Sequence, residues 1–514
     1  MSKFSFDSVQ LDIEAGSGQS PQPRQPDSPF RILVLGDFGA RAETRTGSSF
    51  QPILIDRDNF DSVLKGLNVR LDLRVDDEAG EGIAMSFQRL EDFEPDRILE
   101  RVPLFQDLRR AKHQLASPAA SEDFAARSSG TPSSPRGGER ADPPPPDPSQ
   151  LSLDSILDEA VEATENRSQA ESPAAGRRPD ALSDFLREVT SEHAAPRSDP
   201  RLSQLADSLD QAIREGLREL LHQPAFQALE AAWRGLQLLV HRLPTGVSLK
   251  IYLVDLSKRD LAADLEGQQD LSRTGLCKLL VDSWKGVPAG EPWSLVVGNY
   301  FFDAQPNDAH LLSKIATICQ RAGAPFLAGA QPRLVGCRSV GQWPDPDEWD
   351  LPADPEFAEA WRALRELPQA SFLGLLFPRF LLRLPYGEEI EPLESLDFEE
   401  MPGLPQHEQY LWGNPAFAAG FLIGQAFSRY GWDLQPGALR RMDDLPTHVY
   451  EAEGESRLKP CAEALLGERA AEAIAEAGIM PLLSVKGSDQ AVLARFHSMS
   501  AHAPALSGPW QAGG

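Results

Sequence analysis

Val247-Ser248-Leu249-Lys250-Ile251-Tyr252-Leu253-Val254 reads as a strand, and it opens a stretch in which strands and helices take turns. Ser257 caps a helix after it, and Trp293 to Val297 reads as a second strand. Leu311, Leu312, Ile315 and Ile318 then line one face of a helix, and Pro325 to Ala330 reads as a third strand. Such alternation predicts βαβ units and a sheet covered by helices. Upstream, a long helix carries Leu202, Leu205, Leu209, Ile213, Leu217, Leu220 and Leu221. A second begins at Pro224, where the missing N–H costs nothing, and the two are expected to form a helical hairpin. Downstream come a strand-like segment from Ser371 to Leu384, a helix from Pro415 to Tyr430, and a helix–strand unit from Ala462 to Val485.

The N-terminal part has a pattern of its own. Phe30-Arg31-Ile32-Leu33-Val34-Leu35, closed by Gly36, is a short apolar run of the kind that forms a buried strand. After Ile53-Leu54-Ile55, Asp58 is placed to cap a helix whose apolar face is Phe60, Val63, Leu64 and Leu67. Val69, Leu71, Leu73 and Val75 alternate with Arg70, Asp72 and Arg74, the period of a strand with one buried face. A strand near Met85 to Phe87 follows, then a helix from Ile98 that Pro103 interrupts and Leu104, Leu108 and Leu115 continue. The reading is therefore mixed α/β. It comprises a disordered N-terminus (1–28), a small α/β domain (29–115), a Pro-rich tether (116–200), a larger α/β domain (201–490) and a tail (491–514).

The tether includes Pro143-Pro144-Pro145-Pro146 and has too few apolar groups to offset the entropy of ordering it. Two short amphipathic helices interrupt it. One carries Leu153, Ile156, Leu157, Ala160 and Val161 on a single face, and the other carries Leu182, Phe185, Leu186 and Val189. Spacing alone leaves two readings of the first helix open: docking on the large domain, or engagement by a partner.

With 514 residues and roughly 150 per domain, the chain is multidomain. A net charge of −27 opposes the clustered cationic surface that binding to a phosphate backbone requires, so nucleic acid is excluded as a main partner. The first residues lack the apolar core of a secretory signal, and the most apolar run is broken by Pro378, Arg379 and Arg383. A cytoplasmic protein without direct membrane insertion is expected. Cys277, Cys319, Cys337 and Cys461 match neither a zinc pattern nor a disulfide framework and read as buried thiols.

Catalytic signals are sparse. Asp37-Phe38-Gly39 matches the kinase triplet that holds magnesium, but no catalytic loop or phosphate loop accompanies it, and it reads as a turn ending a strand. Asp56 and Asp58 form a DxD that could ligate a cation, a role set against helix capping by Asp58. His407-Glu408 lacks the second histidine of a metalloprotease, and no phosphate-binding P-loop occurs. No enzyme activity, cofactor or metal is expected, and an enzyme acting through Asp37, Asp56 or His407 is the weakest of three readings.

Two stretches resemble the small and large subunits of the type VI secretion contractile sheath, the TssB and TssC families. The small-subunit resemblance rests on Ile55-Asp56-Arg57-Asp58-Asn59-Phe60-Asp61, on the alternating strand through Arg74-Val75, and on Leu90-Glu91-Asp92-Phe93-Glu94-Pro95. The large-subunit resemblance begins at Leu221-His222-Gln223-Pro224-Ala225-Phe226 and includes Trp233-Arg234-Gly235-Leu236 and Glu291-Pro292-Trp293. It continues through Phe377-Pro378-Arg379-Phe380-Leu381-Leu382-Arg383-Leu384-Pro385-Tyr386-Gly387, Tyr410-Leu411-Trp412-Gly413-Asn414, Leu445-Pro446-Thr447-His448 and Val485-Lys486-Gly487-Ser488-Asp489. The chain looks like a fusion of both.

The resemblance implies a structural subunit that assembles with copies of itself around an inner-tube protein, on a baseplate, and contracts to propel the tube. It implies strands from adjacent protomers completing one another's sheets, and no nucleotide for the stroke. It also implies that Leu153, Ile156, Leu157, Ala160 and Val161 are the face gripped by a ClpV-type AAA+ unfoldase. The chain departs from the family at its Pro-rich stretch from Ala116 and at Phe496 to Gly514. Those departures motivate an alternative, a non-polymerising sheath-like adaptor that meets a baseplate or an unfoldase.

Overall fold

A computed structural model describes residues 27–41, 50–73, 83–115, 200–268, 270–283 and 291–510. In chain order the first strand is β1 (Phe30–Gly36), followed by β2 (Ile53–Ile55), helix α1 (Phe60–Leu67), and strands β3 (Val69–Leu73) and β4 (Ile83–Phe87). Helices α2 (Pro95–Arg101) and α3 (Pro103–Leu115) are split at Pro103, as its missing N–H requires. Next come α4 (Pro200–Leu221), α5 (Pro224–Arg242), β5 (Leu249–Asp255), α6 (Lys258–Leu265), β6 (Leu295–Phe302), α7 (Pro306–Ala322) and β7 (Phe326–Ala330). The chain continues with α8 (Pro355–Glu366), β8 (Leu373–Phe377), β9 (Phe380–Leu381), β10 (Trp412–Gly413) and α9 (Pro415–Tyr430). The last elements are β11 (Arg441–Met442), β12 (Val449–Ala452), β13 (Glu455–Leu458), α10 (Glu468–Glu476), β14 (Ile479–Ser484) and β15 (Ala491–Leu493).

Helix starts follow local chemistry. Ser257 Oγ accepts from the Asp260 N–H at α6, and Asn414 and Asp354 cap α9 and α8. Proline opens α5, α7, α8 and α9, where one fewer orphan N–H needs a partner. The cap expected at Asp58 is a correction. Asn59 occupies the N-cap position of α1 and makes no side-chain cap bond. The local bonds belong instead to Asp56, whose Oδ1 accepts from the N–H groups of Asp58 and Asn59 at 3.0 Å. Asn59 Oδ1 accepts in return from the Asp56 N–H at 2.9 Å.

Nine strands form one sheet in the order β11-β15-β14-β8-β7-β6-β1-β5-β2. The central strands β5, β1, β6, β7, β8 and β14 are parallel, while β2, β15 and β11 join antiparallel at the two ends. From β1 the chain goes to β5 on one side and then to β6 on the other, the doubly wound order whose switch point lies between β1 and β6. Strands covered on both faces must be apolar throughout, and β7 and β8 are buried at every residue. Helix α9 is buried over most of its length, and Gly235 of α5 lies so close to the Phe417 ring that a Cβ there would meet it at 2.5 Å. All four cysteines are buried free thiols.

The chain divides into two compact units. One holds residues 1–94, 221–393 and 397–514, and the other holds 95–220 and 394–396. This division cuts across the stretches 29–115 and 201–490. The first unit contains the nine-stranded sheet together with the β3–β4 and β12–β13 pairs and α5. In the second, α3 and α4 run antiparallel: Lys112 pairs with Asp210 at 2.6 Å, and the Phe105 ring faces Gly216. The tail from Phe496 packs into the first unit, where Met499 N–H donates to Leu373 O and Ser507 N–H to Ser371 O.

Candidate functional site

Leu153, Ile156, Leu157, Ala160 and Val161 lie outside the described residues. The other positions singled out by sequence fall at two structural joints and one strand end. Asp37 follows β1 at the switch point, where doubly wound sheets commonly bind ligands. Here the chain fills that crevice itself. Phe38 is fully buried edge-on against Trp233 at 5.3 Å, and the Trp233 indole N–H donates to Phe38 O at 3.0 Å. Asp255 Oδ1 accepts from the N–H groups of Phe38 and Gly39, each at 2.9 Å, and Asp37 Oδ1 accepts from Ala40 N–H at 3.0 Å. Desolvation and the nearby Asp255 carboxylate hold the Asp37 pKa above its ordinary value. The triplet is a turn that locks β1 to α5. Among the described residues no group of three or more His, Cys, Asp or Glu is placed to hold a metal.

Two ionic clusters, one buried and one half-buried, brace the same unit. Arg383 donates through Nε to Glu230 at 2.8 Å and through NH1 to Glu400 at 2.7 Å, and Arg234 Nε meets Glu230 at 2.7 Å. Tyr386 N–H also donates to Glu400, at 2.8 Å. Burial alone would raise the Glu400 pKa, but Arg383, His222 and the Tyr386 N–H pull it down to about 2. In the second cluster Arg379 donates to Glu463 from Nε at 2.8 Å and NH2 at 2.6 Å. His407 Nε2 lies 3.1 Å from the same carboxylate, and Lys459 Nζ lies 3.0 Å from His407 Nδ1. Against burial, Arg379 and His407 lower the Glu463 pKa to about 2. His407 is thus a structural residue in a polar joint.

Apart from these side-chain clusters, the backbone edges of the sheets are the remaining polar features of the unit. The nine-stranded sheet ends in β2, three residues long, and β11, two residues long. At β2 the Leu54 carbonyl is occupied by Asn59 Nδ2 at 3.0 Å. The β3–β4 pair buries Val69, Leu71, Leu73, Met85 and Phe87 on one face. The β12–β13 hairpin differs from both, because five of its eight strand residues are exposed and only Ala452 is buried. Its loop is Glu453-Gly454, with φ of 57° and 78°, the two-residue turn that matches strand twist. The sequence reading missed this hairpin. The available signal was an Xaa-Gly pair between Val449-Tyr450-Glu451-Ala452 and Glu455-Ser456-Arg457-Leu458.

Residues 203–500 match the family described as EvpB/VC_A0108, tail sheath N-terminal domain. Residues 9–121 match the family described as Type VI secretion system, VipA, VC_A0107 or Hcp2. Among curated proteins the chain is similar to the Type VI secretion system sheath protein TssC1 of Pseudomonas aeruginosa, 33% identical over 301 residues. The aligned region covers 57% of this chain and spans 60% of the relative's length. Among the described residues no helix is long and apolar enough to cross a membrane.

Proposed function

The chain belongs to the type VI secretion sheath family and carries small- and large-subunit matches in one polypeptide, and from that premise we propose that it is a structural subunit of the contractile sheath. In this reading it polymerises around an inner-tube protein and contracts to propel it. Stretch 29–115 supplies the small-subunit part and 201–490 the large-subunit part. The observation that carries the reading is the position of β1. This strand, from the small-subunit match, pairs over seven residues with β5 and over four with β6, both from the large-subunit match. Two matched subunits therefore contribute to one sheet at fixed one-to-one stoichiometry.

The test is electron microscopy of the purified full chain with its inner-tube partner. Helical tubules are expected, and a discrete small particle at every concentration contradicts the proposal. A second reading, the non-polymerising adaptor, is favoured by the short ends of the nine-stranded sheet, which offer three and two residues for pairing. It expects that small particle.

The Leu153, Ile156, Leu157, Ala160 and Val161 face is proposed as the contact for a ClpV-type unfoldase, and a baseplate is proposed as the other partner. Leu157→Asp places a charge on that face and should abolish capture by the unfoldase while leaving thermal stability unchanged. Equal capture of variant and wild type removes the assignment.

A further inference from the structure

The motifs that carry the two resemblances meet on one helix. Residues of the small-subunit match touch α5 at its start, its middle and its end. At the start, Phe226 is fully buried with its ring 5.8 Å from Phe93 and 6.2 Å from Phe87, and those two rings stack on each other at 4.1 Å. In the middle, Trp233 takes two rings edge-on, Phe38 at 5.3 Å and Phe60 at 5.7 Å, while its N–H donates to Phe38 O at 3.0 Å. At the end, the last carbonyls of a helix have no partner within it. Arg57 supplies donors from outside: Nε to Val240 O at 3.4 Å and Nη2 to His241 O. A cation placed there also opposes the negative end of the helix dipole.

The loop before α1 is built to aim that arginine. Asp56 Oδ1 accepts from the N–H groups of Asp58 and Asn59, Asn59 Oδ1 accepts from Asp56 N–H, and Asn59 Nδ2 donates to Leu54 O. The backbone on both sides of Arg57 is thereby tied down. The DxD is a scaffold, and its middle residue is the one that reaches the helix.

Backbone pairing hardly distinguishes one apolar strand from another, so β1 alone would leave the joint open to any strand of similar pattern. Selection falls to the side chains around it. We propose that α5 is the recognition helix through which the large-subunit part selects its small-subunit part, with Trp233 as the residue that reads Phe38 and Phe60, and Arg57 as the residue that reads the end of α5 in return. The inference rests on the reading that both matches build one subunit.

The test uses the full chain, folded and then nicked at a protease site engineered between residues 116 and 199. The readout is the rate at which the fragments exchange with a labelled nicked copy, since altered contacts act mostly on dissociation. Arg57→Gln should raise that rate about threefold to tenfold, and Phe60→Leu about threefold or more. Trp233→Phe leaves Phe38 O buried without its donor and should raise it about tenfold or more. Arg57→Lys keeps the charge at the helix end and should regain part of the loss seen with Gln. Lys and Gln variants that behave alike overturn the role of Arg57, because a side chain that merely packs would show no preference for charge. Arg57 is exposed, so its variants decide the matter if a change at Phe60 or Trp233 prevents folding. If all variants exchange as slowly as wild type, the recognition role of α5 falls and the shared sheet stands. Wild-type fragments that part at once in native buffer overturn the shared sheet and the proposal with it.

Discussion

Strand β1 and the β12–β13 hairpin are opposite uses of the same backbone chemistry. β1 has a partner on both sides, and Phe30, Ile32, Leu33 and Val34 are wholly buried. The hairpin has a partner only within itself and keeps most of its side chains in solvent. The contrast separates backbone that is saturated within the sheet from backbone that is paired on one side alone. Saturated edges hold β1 in one sheet with β5 and β6, whereas the hairpin leaves an outer edge on each strand exposed.

Substitution inside β1 should have the largest effect. Val34→Asp buries an unpaired carboxylate on a covered face of the sheet and should destabilise the first unit by about 5 kcal/mol or more, read from denaturant unfolding. A loss below about 1 kcal/mol would mean that β1 is not an interior strand of the sheet.

The braces come next. Arg383→Met leaves Glu230 and Glu400 buried without their shared cation and should cost about 3–5 kcal/mol. Pairing Arg383→Met with Glu400→Gln should recover part of that loss, since Glu230 keeps Arg234 as its cation and Glu400 no longer carries a charge.

Acid should sharpen the same contrast. Glu400 and Glu463 titrate at about 2 in the folded chain against an ordinary 4.5, so their contribution is complete above pH 4.5 and is lost as pH falls toward 2. His448 behaves differently. Burial, reinforced by Lys459 and only partly offset by Glu400, lowers its pKa from 6.5. Its contribution is complete above pH 6.5 and declines as the pH falls below that value, because the unfolded chain binds the proton first. Between pH 6.5 and 4.5, hairpin amides should therefore exchange faster while the β1 amides stay protected. Equal change in both regions would show that His448 does not act on the hairpin separately.

The smallest effect is expected at the tip. Gly454 has φ of 78°, and Gly454→Ala should cost about 1–2 kcal/mol locally, visible in hairpin exchange and hardly in the global transition.

Much of this organisation was legible in the sequence. The apolar run at Phe30–Leu35, the alternation from Val69 and the strand–helix alternation from Val247 all returned as elements, because burial on one face or both dictates their periodicity. The interruption of an apolar run by Arg379 and Arg383 marked two ion clusters, but their partners are 84 and 153 residues away at Glu463 and Glu230, separations no local pattern encodes. The insertion of β1 between β5 and β6 was likewise invisible, since any two all-apolar strands can neighbour β1. Asp58 was misread as a cap because three neighbouring side chains, Asp56, Asp58 and Asn59, can each accept from backbone, and only geometry chooses among them.

The central claim is that the small-subunit stretch is built into the sheet of the large-subunit stretch. Its most direct test is to cut the chain at a protease site engineered between residues 116 and 199 and pass the product through native gel filtration. The account predicts that the two fragments co-elute at one-to-one ratio and separate only on unfolding. Fragments that part in native buffer, with the larger one still folded, would contradict it.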